Sequence, residues 1–308
     1  MEAKNSSAKA MWVFLNDRFV PHTQALVSVF DYGFLYGDGV FETLRAYDTR
    51  IFLLERHLTR FSQASEMLGI TPPPRGPRQW LAIFHELLYR NRLRDALIRL
   101  TLSRGSGEPT LDPSSCCSPT TVAFARPLRP SLENLYQSGV RIVVARTRRN
   151  AAATLLTHLK SLNYLDALLA KQEALQAGAF DGLMLNSKGW VAECSTSNIF
   201  FVQHGCLYTP SVGCGIFPGL TREVVLTVAQ EYGVPVQEGM YPLQMLLAAD
   251  ECFLTNTGFE ILPVHQLGTT MFPAPVPGPV TKYLQQGFRA YRERELTHSP
   301  HGACSGNC

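Results

Sequence analysis

The stretch that decides the fold runs Glu193-Cys194-Ser195-Thr196-Ser197-Asn198-Ile199-Phe200-Phe201, then Leu207-Tyr208-Thr209, then Gly213-Cys214-Gly215-Ile216-Phe217-Pro218-Gly219-Leu220-Thr221-Arg222. An acid stands at the end of one short strand, small and polar residues turn the chain, and an apolar strand follows. The glycines then lead directly into an amphipathic helix over 221–232. Its free N–H groups, its dipole and the Thr221 hydroxyl make an anion site suited to phosphate. A loop with an ordinary Thr N-cap also fits this segment. The spacing is neither the dinucleotide GxGxxG pattern nor a Walker loop, which disfavours NAD and ATP.

Upstream, His158-Leu159-Lys160-Ser161-Leu162-Asn163-Tyr164-Leu165 places a lysine at the mouth of a helix over 162–177 whose remaining residues alternate as a buried face. Most lysines are solvated surface charges. One with its stem in a domain crevice can lose its charge, become nucleophilic and form a Schiff base. Lysine, acid and phosphate seat each meet a different need of one cofactor.

Around this centre, apolar periodicity predicts a hairpin over 12–20, strands over 40–47 and 51–54, and helices over 56–68 and 78–89. Strands over 96–103 and 121–125 flank a loop over 104–119 that is rich in Gly, Pro and Ser, and loops of that length are often functional. The prolines of Arg126-Pro127-Leu128-Arg129-Pro130-Ser131 mark a domain boundary. Beyond it come strands over 140–145, 182–185, 190–193, 198–202, 207–209, 252–255 and 260–264, a loop to Lys160, a short helix over 243–249 and a last helix over 280–294. The expected organisation is a disordered N-terminus (1–10), an N-terminal α/β domain (11–125), a linker (126–138), a C-terminal domain (139–295) and a flexible tail (296–308). Two mixed α+β domains with a site between them is the natural reading.

Composition narrows the function. With 28 basic and 25 acidic side chains, a net charge of +3 and 45% hydrophobic residues, the chain is neither disordered nor built to bind a polyanion. Its charged fraction of 17% is below the usual roughly 25%, a hint that some surface is hidden against another subunit. The polar opening residues lack the apolar core of a secretory signal. A cytoplasmic protein is expected, with no nucleic-acid or membrane partner. The eight cysteines lack CxxC spacing and read as reduced thiols. The His- and Cys-bearing tail over 298–308 reads as a loose end, and no metal is expected.

The ordered motifs Glu193-x-Ser-x-x-Asn198-Ile199-Phe200, Leu207-x-Thr209 and Pro218-Gly219-Leu220-Thr221-Arg222, with Lys160 upstream and Leu254-Thr255-Asn256-Thr257-Gly258-Phe259-Glu260 downstream, resemble the class IV aminotransferases. These are the fold-type IV enzymes of pyridoxal 5'-phosphate (PLP), and the resemblance covers residues 13–289. It implies a D-amino acid aminotransferase-like α+β fold with PLP between two domains. Lys160 would be the catalytic residue, carrying the cofactor as an aldimine and moving the proton at the substrate Cα. Glu193 would pair with the pyridine nitrogen, Asn198 would orient the strand beside it, and Tyr164 would meet the phenolic oxygen. Arg60, Gly219, Leu220, Thr221 and Thr257 would hold the phosphate end, although a helix-surface salt bridge is the ordinary reading of Arg60. Phe217 stands where the family has a smaller aliphatic residue, a departure expected to leave the chemistry unaffected.

Tyr36, Phe41, Arg45, Arg99, Arg104 and Gly258 are the candidates for touching substrate, with Phe41 also readable as core. The loop from Arg104 to Pro113 has no Arg-x-His pair, which places a D-specific enzyme last. Arg99, Tyr164, the Leu111-Asp112-Pro113 loop with Cys116, and Pro277 to Lys282 resemble branched-chain aminotransferases. Ser103 to Gly107, His158-Leu159-Lys160 and Leu254-Thr255-Asn256 resemble aminodeoxychorismate lyase. Transamination between a branched-chain-like amino acid and a 2-keto acid ranks first. Release of pyruvate and 4-aminobenzoate as a lyase ranks second, and a non-catalytic PLP-binding or interaction protein is the answer of another class. A homodimer is implied by the family's habit of completing each active site with a partner's loop.

Overall fold

The structure is a computed structural model that describes residues 11–129, 132–149 and 159–298. Residues 1–10, Pro130-Ser131 of the expected linker, the loop residues 150–158 with His158, and 299–308 lie outside that description. The chain divides into two compact units between Pro127 and Leu128.

In the first unit, strands β1 (Trp12–Leu15), β2 (Arg18–Pro21), β3 (Gly39–Tyr47), β4 (Arg50–Ile51), β5 (Ala96–Ser103) and β6 (Thr120–Pro127) form one antiparallel sheet in the order β2-β1-β6-β5-β3-β4. Leu44, Ile98, Leu100 and Ala123 share its buried face, and helices α2 (Leu54–Met67) and α3 (Pro77–Asn91) bring Leu58, Phe61, Trp80, Phe84 and Leu87 into the same core. Burying each such side chain contributes about 1.5–3 kcal/mol.

The strand expected over 51–54 stops at Ile51. Leu53 adopts a left-handed backbone, φ 53°, and α2 starts at Leu54. A short helix, α1 (Tyr32–Tyr36), was not legible because five residues carry no periodicity. It is held by Asp31, which accepts from the Gly33 N–H at 2.8 Å.

The second unit opens with α4 (Leu132–Ser138), a helix within the stretch read as linker, whose other end, 126–127, continues β6. Strands β7 (Val140–Val144), β8 (Asp181–Leu185), β9 (Val191–Cys194), β10 (Asn198–Gln203), β11 (Cys206–Pro210), β12 (Val236–Gly239), β13 (Glu251–Asn256) and β14 (Glu260–Leu267) follow the order β12-β11-β10-β13-β14-β7-β8-β9, and β15 (Thr270–Met271) pairs with β14. The sheet curls until β9 also bridges β10 through Glu193 and Asn198. Ile142, Leu183, Val191, Ile199, Phe201, Leu254 and Leu262 fill its interior. The short, polar β12 and β15 left no apolar pattern to read.

Helix α5 (Leu165–Gln176) starts three residues later than expected, and alanines form its buried face. Ala167, Ala170 and Ala174 are buried, whereas Leu165, Leu168, Leu169 and Leu175 are exposed. The cause is close approach to β8: a Cβ on Gly182 would sit 2.4 Å from the Ala170 carbonyl oxygen, so only small residues fit the contact. Helices α6 (Leu220–Glu231), α7 (Leu243–Leu247) and α8 (Pro279–His298) complete the unit. Among the described residues, no helix is long and apolar enough to cross a membrane, and no group of acidic, His and Cys side chains could hold a metal ion.

Candidate active site

Register brings the acid and the amide of the motif together. Glu193 on β9 and Asn198 on β10 are directly paired, and Asn198 Nδ2 donates to Glu193 Oε2 at 3.1 Å and to the Phe217 carbonyl at 2.8 Å. The Phe217 N–H donates to the same carboxylate oxygen at 3.0 Å. Burial pushes the Glu193 carboxyl up to about 7, against the pull of Arg149, the Phe217 N–H, Lys160 and Arg222. The acid therefore sits close to the balance between its charged and neutral forms near neutral pH.

Asn198 also reaches the start of α6. A Cβ on Gly219 would lie 2.4 Å from Asn198 Oδ1, so this N-cap position is closed to a side chain that leaves the Asn198 amide in place. Gly219 is the N-cap and, among the described residues, no side chain caps α6, which places Leu220 and Thr221, both buried, in its first turn. Thr221 is thus not the N-cap of the ordinary reading. One asparagine ties the acid to an uncapped helix start, where N–H groups and dipole favour an anion.

Lys160 lies in the irregular approach to α5, five residues ahead of its first residue. Its Nζ donates to Tyr164 Oη at 3.2 Å and stands 4.9 Å from the centre of the Phe217 ring. Phe217 consequently touches both ends of the constellation, the acid through its N–H and the lysine through its ring. The departure from the family therefore falls beside the lysine and the acid.

Thr257 and Gly258 occupy the turn between β13 and β14. Asn256 Oδ1 accepts from the Gly258 and Phe259 N–H groups at 2.8 and 2.9 Å, and Asn256 Nδ2 donates to the Thr196 carbonyl at 3.2 Å. That bond joins the turn to the one linking Glu193 to Asn198.

The first unit's candidates fall on two faces of its sheet. Strand alternation puts Phe41 and Arg45 on one face with Arg99, whose guanidinium lies 3.6 Å from the Phe41 ring centre, while Arg45 stacks 4.3 Å over Tyr47. Glu42 points to the opposite face, where α2 lies. Its carboxylate accepts from Arg60 Nε at 2.7 Å and Arg60 Nη2 at 2.9 Å, with His57 Nδ1 2.8 Å away. Burial raises the Glu42 carboxyl, but Arg60 and His57 more than offset it and leave it at about 2. Arg60 is therefore in the ion pair that the ordinary reading foresaw, with a buried rather than a surface acid.

Arg104 bonds Asp38 through Nε at 2.5 Å and the Leu68 carbonyl at the end of α2 through Nη2 at 2.7 Å. These contacts make it a brace for α2. Tyr36 is partly exposed on α1, edge-on to Tyr32 at 5.0 Å.

Sequence reasoning passed over Glu42, His57 and Arg149. Arg149 Nε, which donates to the Gly215 carbonyl at 3.0 Å, lies 2.9 Å from Glu193 Oε1. Glu42 lies within the strand predicted over 40–47, but its partners are set by the crossing of α2 over β3, which no spacing reveals.

A family model described as Amino-transferase class IV matches residues 39–267. The chain belongs to the class IV aminotransferases. This aminotransferase is 40% identical over 284 residues to a Methanocaldococcus jannaschii protein provisionally named a branched-chain-amino-acid aminotransferase, covering 92% of this chain and 97% of that one. It is 34% identical over 257 residues to the aminodeoxychorismate lyase of Bacillus subtilis, covering 83% and 86%. Among solved structures, the branched-chain amino acid aminotransferase of Escherichia coli superposes with a TM-score of 0.86 at 29% identity, covering 93% of this chain and 96% of that one. The mixed helix-and-sheet fold of this aminotransferase is thus that of the fold-type IV enzymes.

Proposed function

We propose that this aminotransferase uses PLP to move an amino group between a branched-chain-like amino acid and a 2-keto acid. The observation that carries the reading is the Lys160–Phe217–Glu193–Asn198 constellation, in which an amine and a buried acid are bridged by one residue and the acid is tied to an uncapped helix start. That donor set fits PLP: an amine for its aldehyde, an acid for its ring nitrogen and a helix terminus for its phosphate. PLP, when bound, supplies a carbonyl that captures the amine and a ring that takes up electrons from the substrate Cα.

In this reading Lys160 holds the cofactor and moves the proton at Cα, and Tyr164 orients the lysine through the 3.2 Å bond. Glu193 keeps the proton at the ring nitrogen, while Leu220, Thr221 and Thr257 receive the phosphate. Arg60 joins them on the strength of the family resemblance, and Glu42 fixes the plane of its guanidinium. Phe41, Arg45 and Arg99 are the substrate-side candidates. The similarity to the Methanocaldococcus jannaschii and Escherichia coli proteins ranks transamination above the lyase reaction.

The test is to load the protein with PLP and offer L- and D-amino donors with a panel of keto acids, beside aminodeoxychorismate. Bleaching of the visible cofactor band by a branched-chain L-donor, with amino transfer to 2-oxoglutarate, is the expected result. Pyruvate release from aminodeoxychorismate without transamination would establish the lyase instead, and an inert cofactor band would establish the non-catalytic carrier.

A homodimer is proposed as well. Leu26, Val27, Val29, Phe30 and Phe34 are exposed within nine residues of one another in the first unit, a run too apolar for a solvated loop. Sedimentation at micromolar concentration should give twice the chain mass, with Phe34→Glu shifting the balance toward monomer. A fully active wild-type monomer would end this reading.

A further inference from the structure

Glu193 can keep a proton on a neighbouring ring nitrogen only while the carboxylate itself stays charged, and its surroundings oppose that charge. Its side chain lies in the wall between β9 and β10, where the adjoining strand residues Cys194 and Ile199 are buried. The charged groups that act on it are Arg149 from the segment after β7, Lys160 from the approach to α5, and Arg222 from α6. Arg222 is engaged elsewhere, because its Nη2 bonds the Pro210 carbonyl and Glu238. Lys160 is committed to the amine chemistry. Among the described cations, Arg149 is the one in contact, with Nε 2.9 Å from Oε1, while Oε2 takes the two neutral donors from Asn198 and Phe217.

Arg149 is also held in place on several sides. Its N–H donates to the Leu185 carbonyl at 2.9 Å, its Nε donates to the Gly215 carbonyl, and its Nη1 stands 3.8 Å from Asp166 in the first turn of α5. A guanidinium pinned at backbone and side chain gives a fixed counter-charge at no further cost in ordering.

We infer that Arg149 is the positioning residue that keeps Glu193 ionised, and that through Glu193 it sets whether the ring nitrogen of bound PLP carries a proton. The inference rests on the proposed PLP chemistry for its second half and on the ligand-free protein alone for its first. Asp166 works in the opposite direction. At 3.8 Å it draws part of the Arg149 charge away from Glu193, so the acid answers to two groups of opposite sign.

The experiment has two arms. In ligand-free protein carrying 13C-labelled glutamate carboxyls, the Glu193 resonance, identified by its loss in Glu193→Gln, should titrate near neutral pH in accord with its raised pKa of about 7. Arg149→Gln should move that midpoint up by about one unit or more, since an opposite charge in contact is worth that much. Asp166→Asn should move it down. The pair of shifts keeps the test decisive if one variant folds poorly, and a merely structural role for Arg149 moves neither.

In the second arm, protein loaded with ring-15N PLP should show a protonated nitrogen at pH 8 in the wild type and an unprotonated one in Arg149→Gln, with Arg149→Lys between them. A Glu193 midpoint unmoved by both substitutions overturns the inference. Shifted midpoints with an unchanged ring nitrogen overturn its second half, whereas a wild type that takes up no PLP overturns the proposed function and leaves the first arm standing.

Discussion

Replacing Lys160 with alanine is expected to lower turnover by at least about three orders of magnitude, or roughly 4 kcal/mol of transition-state stabilisation. The same substitution should leave PLP bound only by its non-covalent contacts. In the proposed reading two functions disappear with one amine: the covalent hold on the cofactor and the base that moves the proton at Cα. The surroundings of this lysine support the proposal. Its Nζ meets Tyr164 Oη and the Phe217 ring, whereas Lys171 donates to the Phe180 carbonyl and lies over the Phe180 ring, and Lys188 is exposed on the turn between β8 and β9. Borohydride reduction of the wild-type holoenzyme followed by peptide mapping should place the phosphopyridoxyl label on Lys160 and find none in the alanine variant. A label on Lys171 or Lys188 would end the assignment.

The residues that were legible in the sequence share one property: their partners are close along the chain or at the ends of adjacent strands. Glu193 and Asn198 are five residues apart and become a bridged pair, and Gly219, Leu220 and Thr221 are consecutive at a helix start. Arg149 meets Glu193 across 44 positions of chain, through pairing at the end of β8 that no local pattern encodes. Glu42 escaped for the same reason, since Arg60 reaches it only because α2 crosses β3. A buried face on α5 was legible, but not that alanines form it. The close approach of the Ala170 backbone to Gly182 favours small residues there, and Leu165, Leu168, Leu169 and Leu175 are exposed. Phe217 was visible as a departure from the family, but its neighbours were not, and they place it against Lys160.

Glu193→Gln separates binding from chemistry. The phosphate anchors proposed at Leu220, Thr221 and Arg60 do not involve the acid, so cofactor occupancy should stay close to that of the wild type. The amide can still accept from Asn198 or Phe217, and its neutrality removes the burial penalty that raises the carboxyl to about 7. It cannot, however, hold a proton on the ring nitrogen by charge. With the electron sink weakened, turnover should fall by two to four orders of magnitude, about 2.7–5.4 kcal/mol.

The sign of the pH effect follows from the raised carboxyl. Above neutral pH Glu193 is charged and effective, and as the pH falls through about 7 it takes up a proton and the benefit is lost. The wild-type rate should therefore carry an acidic limb that Glu193→Gln lacks. Arg60→Ala should show the converse, with weak PLP retention partly restored by excess cofactor. It should also lower stability by about 3–5 kcal/mol, because Glu42 is left buried without its guanidinium. A fully loaded Glu193→Gln enzyme as active as the wild type would remove Glu193 from the ring nitrogen, and the role inferred for Arg149 would go with it.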